Sequence, residues 1–512
     1  MTLTTDALDR LGPLAPSADA VATELVERAA VRRLFAGDHT LWRDDPTELA
    51  DRLGWIPVVA EVRAALPELT ARCAALGEDV DHVLVMGMGG SSLFPEVLAR
   101  TFGHRPGHPE LHVLDTTDPA AIARIAAGCP PDRTLHLASS KSGATIETRS
   151  HLDWAWARSG DPARFAVVTD PGSELGALAG ERGFAEVFEN RPDIGGRYSA
   201  LSLFGIVPAL LAGVDAAALL DGGLDALSHS GPDVDAEQNP ALQLAAAMAA
   251  GVREGRDKAT FILDPALATM GLWIEQLVAE SLGKDSTGAV PIVGEPLGPP
   301  EVYGTDRVFL SQVPVEALER AGYPVVAGGS DASEHGIGHL AVTMELAVAL
   351  AGAAIGVQPF DQPDVAAAKA ATNEVLDEGG TPVDLTELSD LLDQLRPGDH
   401  LALQAFVDPT SAVAGQLEAA RVRLRDEHHV AVSLGYGPRF LHSTGQLHKG
   451  GPAAIVCVQV VGDDPDELPI PGRSFGFGHL KHAQATGDLR TLLARGIRAG
   501  RVPLHQLTDQ RL

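Results

Sequence analysis

The chain has 512 residues, of which 45% are hydrophobic and 21% are charged, a balance typical of a soluble globular protein with a large core. Lys and Arg together number 39 against 69 Asp and Glu, so the net charge at pH 7 is −30. Such a negative surface repels phosphate backbones, and the sequence has no Lys/Arg-rich run that would form a local basic patch. We therefore expect no binding to nucleic acid.

Three cysteines, Cys73, Cys129 and Cys457, lie far apart in the sequence. Their odd number and wide spacing argue against a disulfide framework or a zinc cluster and are typical of the reducing cytoplasm. The N-terminus lacks the basic start and apolar core of a signal peptide. The most apolar long stretches, 203–220 and 340–358, are interrupted by proline or acidic residues, which predicts buried helices rather than membrane spans. The expected location is the cytoplasm, without membrane contact.

Residues 1–55 are predicted to form a short helical segment, with one helix beginning in the stretch 44–55 (DDPTELADRLGW). Beyond it, short apolar runs alternate with helical patterns, which is typical of a parallel, doubly wound sheet. The strands predicted for this sheet are 82–87, 110–115, 134–139 and 165–170. The sheet belongs to a first domain, which we place at 56–228.

The polar segment 227–240 is predicted to be a linker to a second domain, which we place at 240–512. This domain repeats the alternation of strands and helices, although the sequence itself shows no repeat. A long helix is predicted at 339–356 and a basic helix near 487–500. The strands predicted here are 259–264, 306–313, 324–329, 401–407, 429–435 and 453–461. The predicted fold class is therefore α/β, with two doubly wound parallel-sheet lobes after the helical segment.

The glycine-rich turn GMGGSS (87–92) joins the first predicted strand to a helix. Glycines let the backbone approach a ligand, and helix-start amides and serine hydroxyls bind phosphate oxygens. A dinucleotide site is one interpretation, because Asp115 ends the next strand at about the expected distance, but the third glycine of that fingerprint is replaced by Ser92. A tight turn without a ligand is the other alternative.

A second loop, SSKSGATIET (139–148), contains three Ser, two Thr and a Lys around one glycine. In an open parallel sheet the ends of adjacent strands converge on one crevice. Two hydroxyl-rich loops at such ends predict a cradle for one phosphomonoester. A dinucleotide site does not require a second Ser/Thr loop of this kind. The plain alternative is a capped helix with polar surface residues. The chain has only six lysines, and four of them lie in motifs of interest, which suggests sites that need a compact cation.

These loops resemble those of the sugar-isomerase (SIS) domain, and the chain from about residue 80 onward resembles the glucose-6-phosphate isomerase family. The resemblance also rests on DIGGRYSALSLFG (193–205), AESLGK (279–284) and FDQPDVAAAK (360–369). In the last of these the chain departs from the family, with Asp364 and Ala366 where the family usually has Gly and Glu. The first 55 residues resemble the linker that joins transaldolase to isomerase in fused bacterial enzymes.

The resemblance implies reversible isomerisation of glucose 6-phosphate and fructose 6-phosphate through an enediolate, a step of glycolysis and gluconeogenesis. It implies no cofactor or metal, a small sugar phosphate as the partner, and a homodimer in which both chains contribute to each site. Glu280 is the expected base that moves a proton between C2 and C1, and Arg197 the cation beside the enediolate. The plain alternatives are a surface carboxylate for Glu280 and a structural ion pair for Arg197.

The remaining expected site residues bind the substrate. The phosphate contacts are Gly89, Gly90, Ser91, Ser140, Lys141, Ser142 and Thr145. Gln362 and Lys369 are expected on the sugar side, with Lys369 near the ring oxygen. Two other functions stay open: a dual phosphoglucose/phosphomannose isomerase, and a non-catalytic SIS module that senses sugar phosphates and would lack the base.

Ring opening needs a histidine, which the family carries in a Gly-Gln-His run that usually precedes the FDQ segment. At that place this chain has His335 and His339, which run directly into the long apolar helix. We assign the role instead to His442, with His448 in support, because this pair precedes Lys449, two glycines and a strand. The assignment implies that the C-terminal part of the second lobe is permuted relative to the family. Two hydrogen-bonded loop histidines without a catalytic role are the alternative.

Overall fold

The structure is a computed structural model that describes residues 2–3, 9–329, 331–378, 383–462 and 467–508. The strands are β1 (Thr2–Leu3), β2 (His82–Met86), β3 (Glu110–Leu114), β4 (Thr134–Ser139), β5 (Phe165–Thr169), β6 (Glu186–Glu189), β7 (Lys258–Ile262), β8 (Val290–Val293), β9 (Arg307–Ser311), β10 (Val325–Gly329), β11 (His400–Phe406), β12 (Ala431–Tyr436), β13 (Ile455–Val461) and β14 (Arg498–Pro503).

The helices alternate with these strands along most of the chain. They are α1 (Ala15–Glu27), α2 (Ala30–Phe35), α3 (Val58–Leu76), α4 (Leu93–Phe102), α5 (Pro119–Ala127), α6 (Ile146–Ser159), α7 (Glu174–Arg182), α8 (Leu203–Leu211), α9 (Ala216–His229), α10 (Pro240–Arg253), α11 (Met270–Leu282), α12 (Glu316–Arg320), α13 (Glu334–Ile355), α14 (Val365–Glu378), α15 (Leu388–Leu392), α16 (Ser411–His428), α17 (Gly445–Gly450), α18 (Phe477–Ala494) and α19 (Leu504–Thr508).

The first sheet has the strand order β3-β2-β4-β5-β6, and all of its neighbouring strands are parallel. β4 and β5 are buried along their whole length, as expected for strands covered by helices on both faces. Because the chain passes from β2 outward to β3 and then back to β4, the order reverses between β2 and β4. In open α/β sheets, ligands bind outside the carboxyl ends of the strands at such a point.

Among the described residues, the second half of the chain forms two further sheets rather than one. Their strand orders are β1-β10-β9-β7-β8 and β12-β11-β13-β14, and only β1 pairs in the antiparallel direction. Apart from β1, the strands of each sheet follow the same order along the chain. The second strand lies on one side of the first strand, and the third and fourth strands lie on its other side. This is the order of the first four strands of the first sheet, so one topology occurs three times without a visible sequence repeat.

The second and third sheets meet at their edge strands, β8 and β12. Arg421 bridges them, since Nε donates to the carbonyl of Val432 at 2.9 Å and Nη2 donates to the carbonyl of Val293 at 2.7 Å. Nearby, the fully buried Arg307 of β9 forms an ion pair with Glu295, and its Nη2 donates to the carbonyl of Val430, just before β12, at 3.5 Å. Two arginines therefore connect the second sheet to the third.

The main hydrophobic core surrounds α13, which packs against α9, α10 and α11. By length and composition α13 could cross a membrane, but 94% of its apolar window is buried inside the protein. Its burial agrees with the expectation that the stretch 340–358 is a core helix. The helices α1 and α2 of the N-terminal segment pack against the same core.

Two secondary-structure predictions were wrong. The stretch 44–55 forms turns instead of a helix, because Leu53 pairs with Ile194 and the amide of Gly54 donates to the carbonyl of Asp193. The basic helix near 487–500 ends at Ala494 and is followed by strand β14, which adds to the third sheet beside β13. In both places pairing with a distant segment overrides the local helical pattern.

Candidate active site

A cleft of about 630 Å³ opens at the carboxyl ends of β2 and β4, where the order of the first sheet reverses. This volume is typical of a small-molecule site. All of the site residues predicted from the sequence line it: Gly89, Gly90, Ser91, Ser140, Lys141, Ser142, Thr145, Arg197, Glu280, Gln362, Lys369 and His442. One chain supplies the whole set.

The glycine-rich turn forms one wall of the cleft, and its glycines are required by close contacts. Gly89 has a φ of +55°, in the left-handed region, and a Cβ there would lie 2.8 Å from the carbonyl oxygen of His442. A Cβ on Gly90 would overlap the carbonyl of Gly196. The turn therefore packs directly against the segments that carry His442 and Arg197.

The Ser/Thr loop forms the floor and leads into α6. Ser140 is buried, and its Oγ accepts a hydrogen bond from the amide of Gly143 at 3.1 Å. Thr145 lies 3.5 Å from Ser140, Oγ to Oγ, and is the N-cap of α6 without a capping side-chain bond. Its hydroxyl and the first amides of α6 thus face the cleft, as in a phosphate site.

Lys141 lies at the edge of this floor and is already paired. Its Nζ lies 2.5 Å from a carboxylate oxygen of Asp170 and also donates to the carbonyl of Pro192. Burial raises the pKa of Asp170, with the neighbouring lysine opposing that shift. A phosphate would therefore meet Lys141 as part of an ion pair rather than as an isolated cation.

Arg197 lies beneath the cleft with 3% of its surface exposed, and each of its nitrogens has an acceptor. Nη1 donates to the carbonyls of Glu280 and Pro359 at 2.7 and 2.9 Å. Nη2 donates to the carbonyl of Asp361 at 3.1 Å and to Oε1 of Gln362 at 3.2 Å. The guanidinium thereby fixes the FDQ segment against the end of α11 and places a permanent positive charge there.

Glu280 is buried, with 6% exposure, near the end of α11. Its Oε2 lies 3.3 Å from Nε of Arg197 and accepts a hydrogen bond from Nε2 of Gln276 at 3.1 Å. These contacts fix Oε2, so Oε1 is the carboxylate oxygen that stays available to accept a proton. Glu280 is therefore a held carboxylate beside a cation rather than the surface carboxylate of the plain alternative.

His442 lies opposite, in the loop between β12 and α17. Its Nε2 is 2.8 Å from Oε1 of Glu147, which also accepts from Gln484 Nε2 at 2.6 Å. Burial opposes ionisation of Glu147, but the charge and hydrogen bond of His442 outweigh it and lower the pKa of this carboxyl to about 2. Because Nε2 is hydrogen-bonded to an ionised carboxylate, Nδ1 is the ring nitrogen that stays available for proton transfer to a substrate.

A second cavity of about 140 Å³ adjoins the cleft. Thr145, Lys369 and His442 line both spaces, so the exposed Lys369 and the His442 ring border a common volume. The buried ion pair between Lys449 and Asp488, at 2.5 Å, closes its far side. This arrangement brings the predicted ring-opening groups to one place.

The other histidines considered for ring opening lie elsewhere. His448 is 4% exposed, contacts Gln404 at 2.9 Å through Nδ1, and burial lowers its pKa to about 3. His339 lies on α13 beside Thr343 and His229. A direct substrate contact by either ring would need a different arrangement of these segments.

Lys284 and Asp364 attach the FDQ segment to the rest of the site. Nζ of Lys284 donates to the carbonyl of Gln358 and to Asp361, each at 2.6 Å. Burial, together with nearby Arg197, lowers the pKa of this lysine to about 7 against the opposing pull of Asp361. Asp364, which departs from the family, accepts a hydrogen bond from Gln446 Nε2 at 2.6 Å and so attaches the segment to α17. The side chain of Ala366 lies outside the described residues.

The sequence model of the phosphoglucose isomerase family matches residues 43–299. A glucose-6-phosphate isomerase from Rubrobacter xylanophilus is 31% identical over 405 residues, which are 66% of this chain and 91% of that protein. The chain belongs to the phosphoglucose isomerase family. This membership confirms the resemblance that the motifs predicted.

One further relative and two solved structures are also similar to this chain. A glucose-6-phosphate isomerase from Thermosynechococcus vestitus is 39% identical over 225 residues, which are 41% of each protein. The solved glucose-6-phosphate isomerase from Chlamydia trachomatis superposes with a TM-score of 0.57 at 18% identity, over 71% of this chain and 86% of that one. A hypothetical protein from Thermus thermophilus gives a TM-score of 0.61 at 27% identity, over 71% and 98%. The predicted α/β class with doubly wound parallel sheets is confirmed.

Sequence reasoning missed several residues of this phosphoglucose isomerase cleft. Gln276 lies one helical turn before Glu280, a spacing that places both on one helix face and could have suggested the contact. Glu147 lies two residues after Thr145 inside the quoted loop, yet its partner is far away in the sequence. Asp115, the candidate ribose ligand of a dinucleotide site, is 2% exposed and pairs with Arg439 at 2.7 Å. That ion pair argues against the dinucleotide interpretation.

Proposed function

We propose that this chain catalyses the reversible isomerisation of glucose 6-phosphate and fructose 6-phosphate through an enediolate. Membership of the phosphoglucose isomerase family supports the activity, and so does the relative from Rubrobacter xylanophilus, which bears the name glucose-6-phosphate isomerase. The observation that carries the proposal is the pairing of Glu280 with Arg197, at 3.3 Å, inside a cleft floored by a hydroxyl-rich loop. A base, a cation and a phosphate site are what the reaction needs.

The phosphate binds first in this scheme. The hydroxyls of Ser140 and Thr145, the amides at the start of α6, and the Gly89–Ser91 turn surround the floor of the cleft. Hydrogen bonds to a charged oxygen are stronger than those to a neutral one, so the phosphate anchors a sugar that offers little apolar surface. Lys141 contributes positive charge to phosphate binding while it stays paired with Asp170.

Ring opening follows at His442 and Lys369. The bond between C1 and the ring oxygen breaks, the ring oxygen gains a proton, and the C1 hydroxyl loses one as the aldehyde forms. Nδ1 of His442 is the nitrogen we assign to this proton transfer, because Nε2 is held by Glu147. Lys369, which borders the same volume, stabilises charge on the ring oxygen.

Isomerisation itself belongs to Glu280. Oε1 removes the proton from C2, the electron pair forms the C1–C2 double bond, and negative charge develops on the oxygen at C1. Arg197 stabilises that charge through its field rather than by a direct hydrogen bond, because its nitrogens already have acceptors. A proton then moves from the C2 hydroxyl to the oxygen at C1, Glu280 returns its proton to C1, and the carbonyl that forms at C2 gives the ketose.

We propose a cytoplasmic homodimer, in keeping with the family. Since one chain supplies every predicted site residue, the dimer would stabilise the fold without completing the catalytic set.

The test is an assay coupled to product formation, with glucose 6-phosphate and, separately, mannose 6-phosphate as substrates. We expect turnover of glucose 6-phosphate that depends on Glu280. Well-folded protein without activity on either sugar would overturn the proposal, whereas turnover of both would assign a dual specificity.

A further inference from the structure

A cluster of two histidines and a carboxylate lies far from the catalytic cleft, at the amino ends of β2 and β3, whereas the cleft opens at the carboxyl ends of the strands. Nδ1 of His82 is 3.2 Å from Nε2 of His112. Oε2 of Glu110 lies 4.0 Å from the first nitrogen and 3.7 Å from the second. Three donor atoms thus form a small triangle.

Rigid strands hold this triangle in place. His82 begins β2 and is the direct neighbour of Glu110 in the parallel pairing of β2 with β3. Glu110 and His112 are two residues apart on β3, so all three side chains lie on one face of the sheet. Ligands built on strands are positioned more accurately than ligands on loops.

We propose that His82, Glu110 and His112 form a binding site for a divalent transition-metal ion of the Zn²⁺ type. Ligand atoms about 2.0–2.2 Å from a tetrahedral zinc lie about 3.4 Å from one another. The two ring nitrogens match that spacing, and the carboxylate oxygen matches it after a shift of about 0.5 Å. Glu110 is 49% exposed in its side chain, so such a shift meets little resistance.

The chemistry of the donors agrees with this ion. Two imidazoles and one carboxylate are a common zinc ligand set with one position left for water. The proton now shared between the two ring nitrogens would move to the outer nitrogen of one ring, so that each neutral ring offers a lone pair. The ion would have solvent access, since both histidines keep about a quarter of their side chains exposed.

The site is separate from the reaction. β2 spans about 13 Å between His82 and the turn that enters the cleft, so a bound ion would not touch substrate. A bound ion would instead stabilise the fold, because β3 is the edge strand of the sheet and pairs only with β2 among the described strands. A bound ion would clamp this edge at the amino ends of the two strands.

The experiment uses the full chain after treatment with a chelator and titrates it with Zn²⁺ alone by calorimetry. We expect one ion per chain and a rise in the unfolding temperature with Zn²⁺. His82→Ala and His112→Ala should each weaken Zn²⁺ binding by more than about tenfold, because even residues behind the ligands have effects of that size. Glu110→Gln should weaken it as well. Co²⁺ should give the strong visible absorption of a tetrahedral site.

His505→Ala is the matched control, since it removes an exposed histidine elsewhere on the chain. Circular dichroism establishes that each variant is folded. The proposal is overturned if the parent chain binds no Zn²⁺ at micromolar concentration. It is also overturned if the His112→Ala chain binds as tightly as the parent, or if His505→Ala causes an equal loss.

Discussion

Oε1 of Glu147 lies 2.8 Å from Nε2 of His442, although the two residues are 295 positions apart in the sequence. Glu147 is on α6, which follows β4 of the first sheet, whereas His442 follows β12 of the third. Gln484 of α18 donates to the same oxygen at 2.6 Å. The contact therefore joins the phosphate loop of the first sheet to the histidine loop of the third across the cleft, and the geometry of the site depends on both sheets.

The first prediction concerns the base. Glu280→Gln keeps the shape of the side chain but removes the proton acceptor, so kcat should fall at least about a hundredfold while KM changes little. The matched control is Glu275→Gln on the same helix, where burial raises the pKa of the carboxyl to about 7 and the charge of Arg421 opposes that shift. Steady-state kinetics of both variants test this. Near-normal turnover of Glu280→Gln would assign the proton transfer to another group.

The second prediction concerns the phosphate cradle. Replacing Ser140 and Thr145 together by Ala should weaken the binding of the sugar phosphate and of inorganic phosphate alike. Each hydrogen bond to a charged group is worth about 1.5–3 kcal/mol. The measurement is the inhibition constant of inorganic phosphate, with Ser228→Ala, an exposed serine of α9, as the control. Unchanged inhibition of the double variant would place the cradle elsewhere.

The third prediction separates ring opening from isomerisation. His442→Ala should slow turnover of the cyclic sugar much more than proton exchange on an open-chain analogue, which needs no ring opening. His448→Ala, which alters a buried neighbour of Gln404, is the comparison. Equal losses on both substrates, or a larger loss from His339→Ala, would contradict the assignment of His442.

The fourth prediction is a pH dependence of stability. The pKa of Glu147 falls from its usual 4.5 to about 2 in the folded chain, so its contact with His442 stabilises the fold fully above pH 4.5. That contribution is lost as the pH falls toward 2. Glu147→Gln should therefore be less stable than the parent near neutrality, and the difference in unfolding temperature should shrink between pH 4.5 and pH 2. A constant difference over this range would contradict the pairing.

The fifth prediction tests whether one chain builds one site. Glu280→Gln and His442→Ala chains, each expected to have strongly reduced activity, are unfolded together and refolded as a mixture. If each site uses residues of a single chain, activity stays at the level of the separate variants. If the site were shared between chains, mixed dimers would restore about a quarter of the parent activity. Native mass spectrometry, which separates the mixed dimer from the two homodimers by mass, establishes that mixed dimers have formed.

The sequence predicted four of the five strands of the first sheet, β2 to β5, because a strand covered on both faces consists of a continuous apolar run. It missed β6, whose side chains are mostly half-exposed, and β8, which contains Pro291. Proline inside a short run argues against a strand. The sequence does not predict β14, whose first residues fall at the end of the predicted helix 487–500, because its arginines and glycine give no strand pattern and only the pairing with β13 makes it a strand.

The site was predictable where local chemistry gives a pattern and unpredictable where it depends on distant pairing. The Ser140 loop, Arg197 and Glu280 stand in segments whose residue types suggest their use. The contacts of His442 with Glu147 and of Asp364 with Gln446 join segments that no spacing relates. The departure at Asp364 therefore had no explanation until its partner on α17 was visible.

The bridge formed by Arg421 has a consequence for how the chain unfolds. This one side chain closes hydrogen bonds to the edge of the second sheet and to the edge of the third, at Val293 and Val432. Separating the sheets would break both of these hydrogen bonds, which are shielded from water in the folded chain because the guanidinium is only 4% exposed. We therefore expect the second and third sheets to unfold together as one cooperative unit.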